Sequence, residues 1–266
     1  MHPMDKVLLL NKPRGYTPLQ IINYLKETKP IYTTHTLSYA GRLDPMAEGL
    51  LLILIDDENK KREHYQNLVK EYTFEILFGI STDTYDVMGK IVKVAKPPSL
   101  AELQQTLPRI LSSLLGTQDQ MYPPYSSFHV KGKPLFYWAR EGKLDQVTIP
   151  KRKITISSLS LTTLVDQTKD ELVSVITHDI KKVKGAFRQE EILSDWIERI
   201  PTTPLSYPLA HITITCSSGT YVRSLANSIG EKMGCGALAY KIKRTKVGDY
   251  SLSDALPFEE DNSNLV

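Results

Sequence analysis

Residues Leu50 to Ile55 are six apolar side chains in succession. Such a run is long enough for a buried strand and far too short to cross a bilayer. Whatever directly precedes it is therefore anchored in the core on its downstream side. What precedes it is Ala40-Gly41-Arg42-Leu43-Asp44-Pro45-Met46-Ala47-Glu48-Gly49. Pro45 fixes its own φ and pushes Asp44 toward extended geometry. Gly41 and Gly49 permit tight turns and the close approach of another backbone. One carboxylate is thus displayed on a constrained loop. The plainer reading is that Asp44-Pro45 starts a turn or caps a helix.

Other segments follow simple local rules. Val7 to Leu10 reads as a strand and Asn11 to Tyr16 as a loop carrying Lys12 and Arg14. Thr17-Pro18 supplies an N-cap and first-turn proline for a helix through Lys26 that buries Ile21, Ile22 and Leu25. Residues 57 to 69 are polar and suit a solvent-facing helix. Tyr72, Phe74, Ile76, Phe78 and Ile80 alternate with Glu71, Thr73, Glu75, Leu77 and Gly79, the period of a half-buried strand. Residues 81 to 89 form an irregular connection, and Ile91 to Val94 return as a strand. Ser99-Leu100-Ala101-Glu102 is a capping box. It opens a helix that Pro108 is expected to interrupt, with a second short helix over Ile110 to Leu115.

Tyr122-Pro123-Pro124-Tyr125-Ser126-Ser127-Phe128 is too proline-rich for the interior of an element. Lys131 and Lys133 follow, then a helix-compatible Leu135 to Arg140. Aromatics interleaved with cations suit nucleic-acid backbone charge plus base stacking, although a rigid surface loop is an equally simple reading. Thr155 to Leu164 reads as a strand. Glu171 to Lys184 and Glu190 to Ile200 read as amphipathic helices, the second placing Ile192, Leu193, Trp196 and Ile197 on one side. His178 is structural or exposed. His211 to Cys216 alternates as a strand, and Tyr221 to Met233 is a helix closed by Gly234. Arg223 lies in that helix's first turn, where the positive helix end asks for an anion opposite. An ordinary surface guanidinium is the plainer reading. Lys241, Lys243, Arg244 and Lys246 cluster as a candidate phosphate contact, or as a solvated strand face.

Whole-chain charge adds little: 33 basic against 30 acidic side chains give +3 over 266 residues, a mild bias toward an anionic partner. The 41% apolar and 24% charged content is that of a folded soluble protein of one large domain or two. Cys216 and Cys235 form no CxxC and the histidines lack ligand spacing, so neither zinc nor a disulfide framework is indicated. No signal-peptide pattern opens the chain, and a cytoplasmic home without membrane association is expected.

The stretch Gly41 to Leu51 resembles the catalytic aspartate motif of the TruB-type tRNA pseudouridine synthases. Five further segments match in the family's order: Asn11-Lys12-Pro13-Arg14-Gly15-Tyr16-Thr17, Lys70-Glu71-Tyr72, Thr82-Asp83-Thr84-Tyr85-Asp86, Pro123-Pro124-Tyr125-Ser126-Ser127 and Cys216 to Leu225. Six in sequence are far more specific than any one. The resemblance implies an α+β pseudouridine synthase fold, a mixed, mostly antiparallel sheet flanked by helices and loops with a central RNA-binding cleft. It implies a catalytic domain over 1–256, with 118–145 as an RNA-contacting insertion, 165–207 as a helical insertion of unknown role and 257–266 as a tail, without a C-terminal PUA domain.

The activity so implied is isomerisation of uridine to pseudouridine at the T-loop position of tRNA, by a monomer, with no cofactor and no metal. Asp44 acts as nucleophile at C1' or as base on the sugar, Arg223 holds it ionised, and Tyr72 stacks on the target base. Lys12, Tyr39, Arg42, Tyr125, Lys131, Tyr221, Ile242, Lys243 and Arg244 are the implied RNA contacts. Many relatives place a histidine where this chain has Tyr39, which bears on how the RNA loop docks. Gly41-Arg42-Leu43-Asp44 also resembles the motif of ribosomal RNA pseudouridine synthases, and a non-catalytic RNA-binding or RNA-folding module is the third reading.

Overall fold

The computed structural model describes residues 6–200 and 204–259. The extreme N-terminal residues, 201–203 within the helical insertion and 260–266 of the tail lie outside the described residues. In chain order, β1 (Val7–Lys12) leads to α1 (Pro18–Thr28), β2 (Leu37–Ala40) and β3 (Ala47–Ile55). The Asp44 loop is therefore the link between two strands. Thr17 and Gln20 close a capping box at the start of α1, and Ile21, Ile22 and Leu25 are buried as the spacing predicts. After a 3-10 turn come α2 (Arg62–Asn67), β4 (Lys70–Phe78), β5 (Ile80–Thr82), β6 (Ile91–Val94), α3 (Leu100–Ser112) and β7 (Gly116–Met121). The small hairpin β8 (His129–Val130) and β9 (Lys133–Pro134) runs into α4 (Leu135–Arg140). The remainder is β10 (Lys151–Thr168), α5 (Lys169–Lys182), α6 (Gln189–Arg199), β11 (Ser206–Cys216), α7 (Val222–Lys232), β12 (Ala237–Val247), β13 (Tyr250–Ser251) and β14 (Leu256–Pro257).

One sheet organises the chain, in the order β14-β1-β3-β12-β4-β11-β10-β7, with β2 added beside β3 and β13 beside β12. The β12–β3 and β1–β14 pairs are parallel and the other pairs are antiparallel. This is the mixed, mostly antiparallel α+β architecture expected. β3 is apolar from Leu50 to Ile55 because both faces of that part are covered. Leu51 and Ile53 pack with α1, while Leu50, Leu52 and Leu54 pack with Tyr65 and Val247. On β4, Tyr72, Phe74, Ile76 and Phe78 face α3 and α7, and Leu77 faces α5 and α6. The sheet centre thus has helices on both sides.

Three local expectations need correction, and one strand arises where no element was expected. Pro108 does not break α3, which continues to Ser112. A helix-interior proline costs about 3 kcal/mol, and burial of Leu103, Leu107 and Leu111 along one face, at about 1.5–3 kcal/mol each, outweighs it. Residues 57–69 are no uniform solvent-facing helix, since a 3-10 turn precedes the short α2 and Tyr65 is buried. Gly116–Met121 is a strand although its sequence is polar, because it is the outermost strand and is held by its ladder to β10. Ile197 is 61% exposed, whereas Ile192 and Trp196 are buried.

The 165–207 region is woven into the sheet. β10 continues through Thr168, pairing Asp166, Gln167 and Thr168 with Pro208, Tyr207 and Ser206 of β11. Between those partners α5 and α6 fold back so that Leu172, Ile176, Ile180 and Trp196 share a core with Leu77, Leu209 and Leu238. The start of the expected tail is likewise tied in: β14 pairs with β1, and Phe258 packs on Tyr16 and Tyr24.

Candidate active site

The Asp44 loop is fixed from both ends. Leu43 and Met46 are buried on either side of the half-buried Asp44-Pro45 turn, the Ala47 amide donates to the Asp44 carbonyl at 3.0 Å, and the Gly15 amide donates to the Pro45 carbonyl at 2.8 Å. At Gly49, φ is +104° and a Cβ would lie 2.3 Å from the Arg244 carbonyl oxygen, so the parallel pairing of β3 with β12 requires glycine there. Arg244 is itself buried. Its Nε donates to the Leu50 carbonyl at 2.8 Å and its Nη2 to the Gly41 carbonyl at 3.2 Å, clasping both ends of the loop.

Arg223, in the first turn of α7, reaches the loop from the opposite side. Its Nε donates to Asp44 Oδ2 at 2.7 Å, its Nη1 donates to the Thr84 carbonyl at 2.7 Å, and Asp86 Oδ2 lies 3.5 Å from Nε. The Asp44 side chain is one-third exposed, while Arg223 and Asp86 are buried. Asp86 accepts from Thr84 Oγ1 at 2.6 Å and from the Met88 amide at 2.9 Å. Burial raises its pKa above the usual carboxylate value, against the opposing pull of Arg223 and the Thr84 hydroxyl. Burial works against the charge on Arg223, and Asp44 and Asp86 more than offset it, leaving its pKa raised. One guanidinium therefore serves two carboxylates, one hidden and one facing solvent.

The exposed carboxylate opens on a cleft of about 610 Å³. The buried Tyr72, Ile242 and Arg244 form its floor, and Tyr39, Arg42, Asp44, Tyr125, Phe136, Phe187 and Tyr221 also line it. Tyr72 stands opposite Arg244 in the β4–β12 register and is 8% exposed. Burial, chiefly, raises its hydroxyl pKa. A second chamber of about 360 Å³ lies behind Asp44 and Arg223, among Met46, Asp86, Met88 and Arg188.

Residues 29–187 match the family model described as TruB family pseudouridylate synthase, N terminal domain. The chain belongs to the TruB family. It is 34% identical to the tRNA pseudouridine synthase B of Bacillus velezensis, over 97% of this chain and 70% of that protein. It is 31% identical to the tRNA pseudouridine synthase B of Aquifex aeolicus, over 97% of this chain and 73% of that one. Among solved structures, the fold is similar to the crystal structure of a Cbf5-Nop10-Gar1 complex. There the TM-score is 0.56 at 14% identity, covering 95% of this chain and 52% of that one.

Within this TruB-family chain the fold gathers most of the residues selected from sequence. Asp44, Tyr72 and Arg223 meet at one site, and Tyr39, Arg42, Tyr125, Tyr221, Ile242 and Arg244 line the same cleft. Three others stand elsewhere. Lys12 is fully buried, with Nζ donating to the Pro13 and Tyr16 carbonyls at 2.9 and 2.7 Å, so it lies beneath the loop and offers no surface to RNA. Lys131 is exposed at the β8–β9 turn, outside the cleft lining, and donates to the Gln146 carbonyl at 2.9 Å. Lys243 faces Glu48 at 3.7 Å, and its neighbours Lys241 and Lys246 face Glu75 and Glu71 at 3.6 and 3.5 Å. That basic run is answered by glutamates on adjoining strands.

Sequence reasoning left out Asp86, Phe136 and Phe187. Asp86 sits in the Thr82 to Asp86 match, where the carboxylate could have been singled out. Phe187 follows α5 in a segment with no periodic or motif signal, and only the packing brings it to the cleft.

Proposed function

We propose that this chain isomerises uridine to pseudouridine in tRNA, at the T-loop uridine conventionally numbered 55, acting as a cytoplasmic monomer. The observation that carries the reading is the Asp44–Arg223 pair at the head of a solvent-open cleft whose floor holds Tyr72. The relatives named tRNA pseudouridine synthase B support tRNA as the substrate. The reaction breaks the bond from ribose C1' to N1 of the base, turns the base and forms a bond from C1' to C5; C5 loses its proton and N1 gains one, so the product is an isomer of the substrate. Both routes to that outcome, attack on C1' or removal of a sugar proton, need a carboxylate beside the ribose. Asp44 is positioned by Arg223 to supply it.

The target base must leave its stack to reach Asp44, at a cost of a few kcal/mol. Tyr72 beside the carboxylate is the aromatic surface that offsets part of that cost, and Tyr39, Tyr125 and Tyr221 offer further ring surface around it. Cleft volumes of several hundred Å³ are those of sites that enclose a small-molecule-sized group, here one extruded nucleotide.

The test is incubation of unmodified tRNA with wild-type protein and with Asp44→Asn, followed by chemical labelling of pseudouridine and primer extension. Wild type should give one T-loop stop, and the Asp44→Asn variant should give none while still binding tRNA. Product from ribosomal RNA alone, or turnover by the variant, would overturn the reading.

A further inference from the structure

Three arginines around the site are held by protein acceptors. Arg223 serves Asp44 and Thr84, Arg244 serves Leu50 and Gly41, and Arg188 serves Asp83 at 3.0 Å. Arg152, on β10, has none among the described residues: its Nε is buried without a hydrogen-bond partner, and no ion pair includes it. The guanidinium is nevertheless held in place. Arg152 pairs with Gln120 of β7, whose side-chain amide donates to the Tyr221 carbonyl at 3.0 Å and accepts from the Tyr221 amide at 2.8 Å. The guanidinium also lies directly over Gly219: a Cβ there would fall 1.8 Å from Arg152 Nη1. Gly219 lines the cleft, and the space its missing side chain leaves is taken by the Arg152 guanidinium, which thus stands next to the cleft lining.

The neighbouring donors of that lining are already engaged. Ser218 Oγ donates to the Gln66 carbonyl at 2.6 Å, Thr220 Oγ1 donates to the Ser217 carbonyl at 2.9 Å, and Lys70 Nζ donates to the Gln66 and Leu68 carbonyls. Lys70 has its pKa lowered to about 8, by burial first and by Arg244 next, with Arg152 adding to the effect. A guanidinium without a protein acceptor, close enough to Lys70 to weigh against its charge, has the chemistry of an anion seat.

We propose that Arg152 binds a backbone phosphodiester of the RNA strand lying in the cleft and so fixes that strand relative to Asp44. The proposal rests on the RNA-modifying reading above and adds a contact to it. A phosphodiester presents two oxygens to the guanidinium fork, the geometry in which arginine binds most strongly. Arg152 is then a positioning residue whose effect is read in affinity and salt dependence.

The experiment is filter binding of unmodified tRNA over a series of KCl concentrations, with pseudouridine formation measured in parallel. Arg152→Gln should weaken binding roughly tenfold at low salt, the loss of one charge-assisted hydrogen bond. It should also flatten the slope of log Kd against log salt by roughly 0.7–0.9, one phosphate contact fewer. Arg152→Lys should restore the slope with incomplete recovery of affinity. Lys153→Gln, which removes an exposed cation from the next position of the same strand, should leave the slope unchanged. Thermal unfolding of Arg152→Gln should match wild type, because the guanidinium has no protein acceptor to lose. An unchanged slope, an equal effect from Lys153→Gln, or a variant that fails to fold would each overturn the proposal. A wild-type protein that binds and converts tRNA while Arg152→Gln behaves identically overturns this contact alone. A wild type that neither binds nor converts tRNA overturns the underlying reading and this contact with it.

Discussion

Arg223 Nε and Asp44 Oδ2 lie 2.7 Å apart although 179 residues separate them in the chain. The same guanidinium donates to the Thr84 carbonyl and stands 3.5 Å from Asp86, so three elements are fixed by one planar group. Charge alone does not reproduce that arrangement. An ammonium is a point charge without the rigid fork that addresses Asp44 and Thr84 together.

Arg223→Lys should therefore bind tRNA with near wild-type affinity yet lose roughly a hundredfold in single-turnover rate, the usual cost of an ångström of misplacement. Rapid-quench measurement of pseudouridine formation at saturating tRNA checks it. A lysine variant as fast as wild type would mean that positive charge is all Asp44 requires.

Tyr72 is buried at the cleft floor, and its hydroxyl stands with Arg244. Tyr72→Phe keeps the ring and removes that polar handle. Product formation should slow by roughly tenfold or more, while tRNA affinity changes little because ring stacking persists. A normal single-turnover rate would reduce Tyr72 to a packing residue.

How far the sequence carries depends on the range of the interaction that decides each feature. The Thr17–Gln20 and Ser99–Glu102 capping boxes, the alternation of β4 and the apolar run of β3 are local, and the fold follows them. The meeting of Asp44 with Arg223 obeys no local rule. It is legible only because ordered motifs resemble a family in which they converge. The polar β7 and the unbroken α3 depend on partners distant in sequence, as does the burial of Lys12, a lysine in what reads as an exposed loop.

Glycine positions separate strain from obstruction. At Gly49 a Cβ would meet the Arg244 backbone at 2.3 Å with φ at +104°, whereas at Gly132 φ is +77° and nothing lies within 4 Å. Gly132→Ala should cost about 1–2 kcal/mol, the left-handed penalty alone. Gly49→Ala should cost clearly more, about 3 kcal/mol or above, since the backbone must move as well. Urea unfolding of both variants compares them directly, and equal losses would contradict the close approach of β3 and β12.

The helices between β10 and β11 should prove inseparable from the fold. Trp196 is 1% exposed, and its Nε1 donates to the Val87 and Gly89 carbonyls at 3.2 Å each, just beyond Asp86. Trp196→Ala should lose about 3–5 kcal/mol of stability and lower activity through the Asp86 connection. Ile197→Ala, one residue on and exposed, should stay within about 0.5 kcal/mol of wild type. Comparable stability of the two variants, by thermal or urea unfolding, would instead make this segment a detachable appendage.

Lys12 gives the chain a specific pH signature. Burial lowers its pKa to about 7, a drop that Asp44 and Glu48 oppose and that Arg244 and Arg14 reinforce, against an ordinary value of 10.5. Between those values the unfolded chain holds a proton at Lys12 that the folded chain lacks. Linkage then requires this residue's contribution to folding stability to rise with pH, by at most about 1.4 kcal/mol per pH unit. Below pH 7 both states are protonated and the cost of burying the charge is fully present. Lys12→Met removes that cost but leaves the Pro13 and Tyr16 carbonyls without their donor, an offset that does not vary with pH. The stability of Lys12→Met relative to wild type should therefore be most favourable near neutral pH and decline steadily toward pH 10, followed by urea unfolding at stepped pH. Lys70, also lowered by burial, is common to both proteins and cancels in the difference. A difference that stays flat across the window would mean that Lys12 keeps its proton in the fold, with Asp44 and Glu48 outweighing burial.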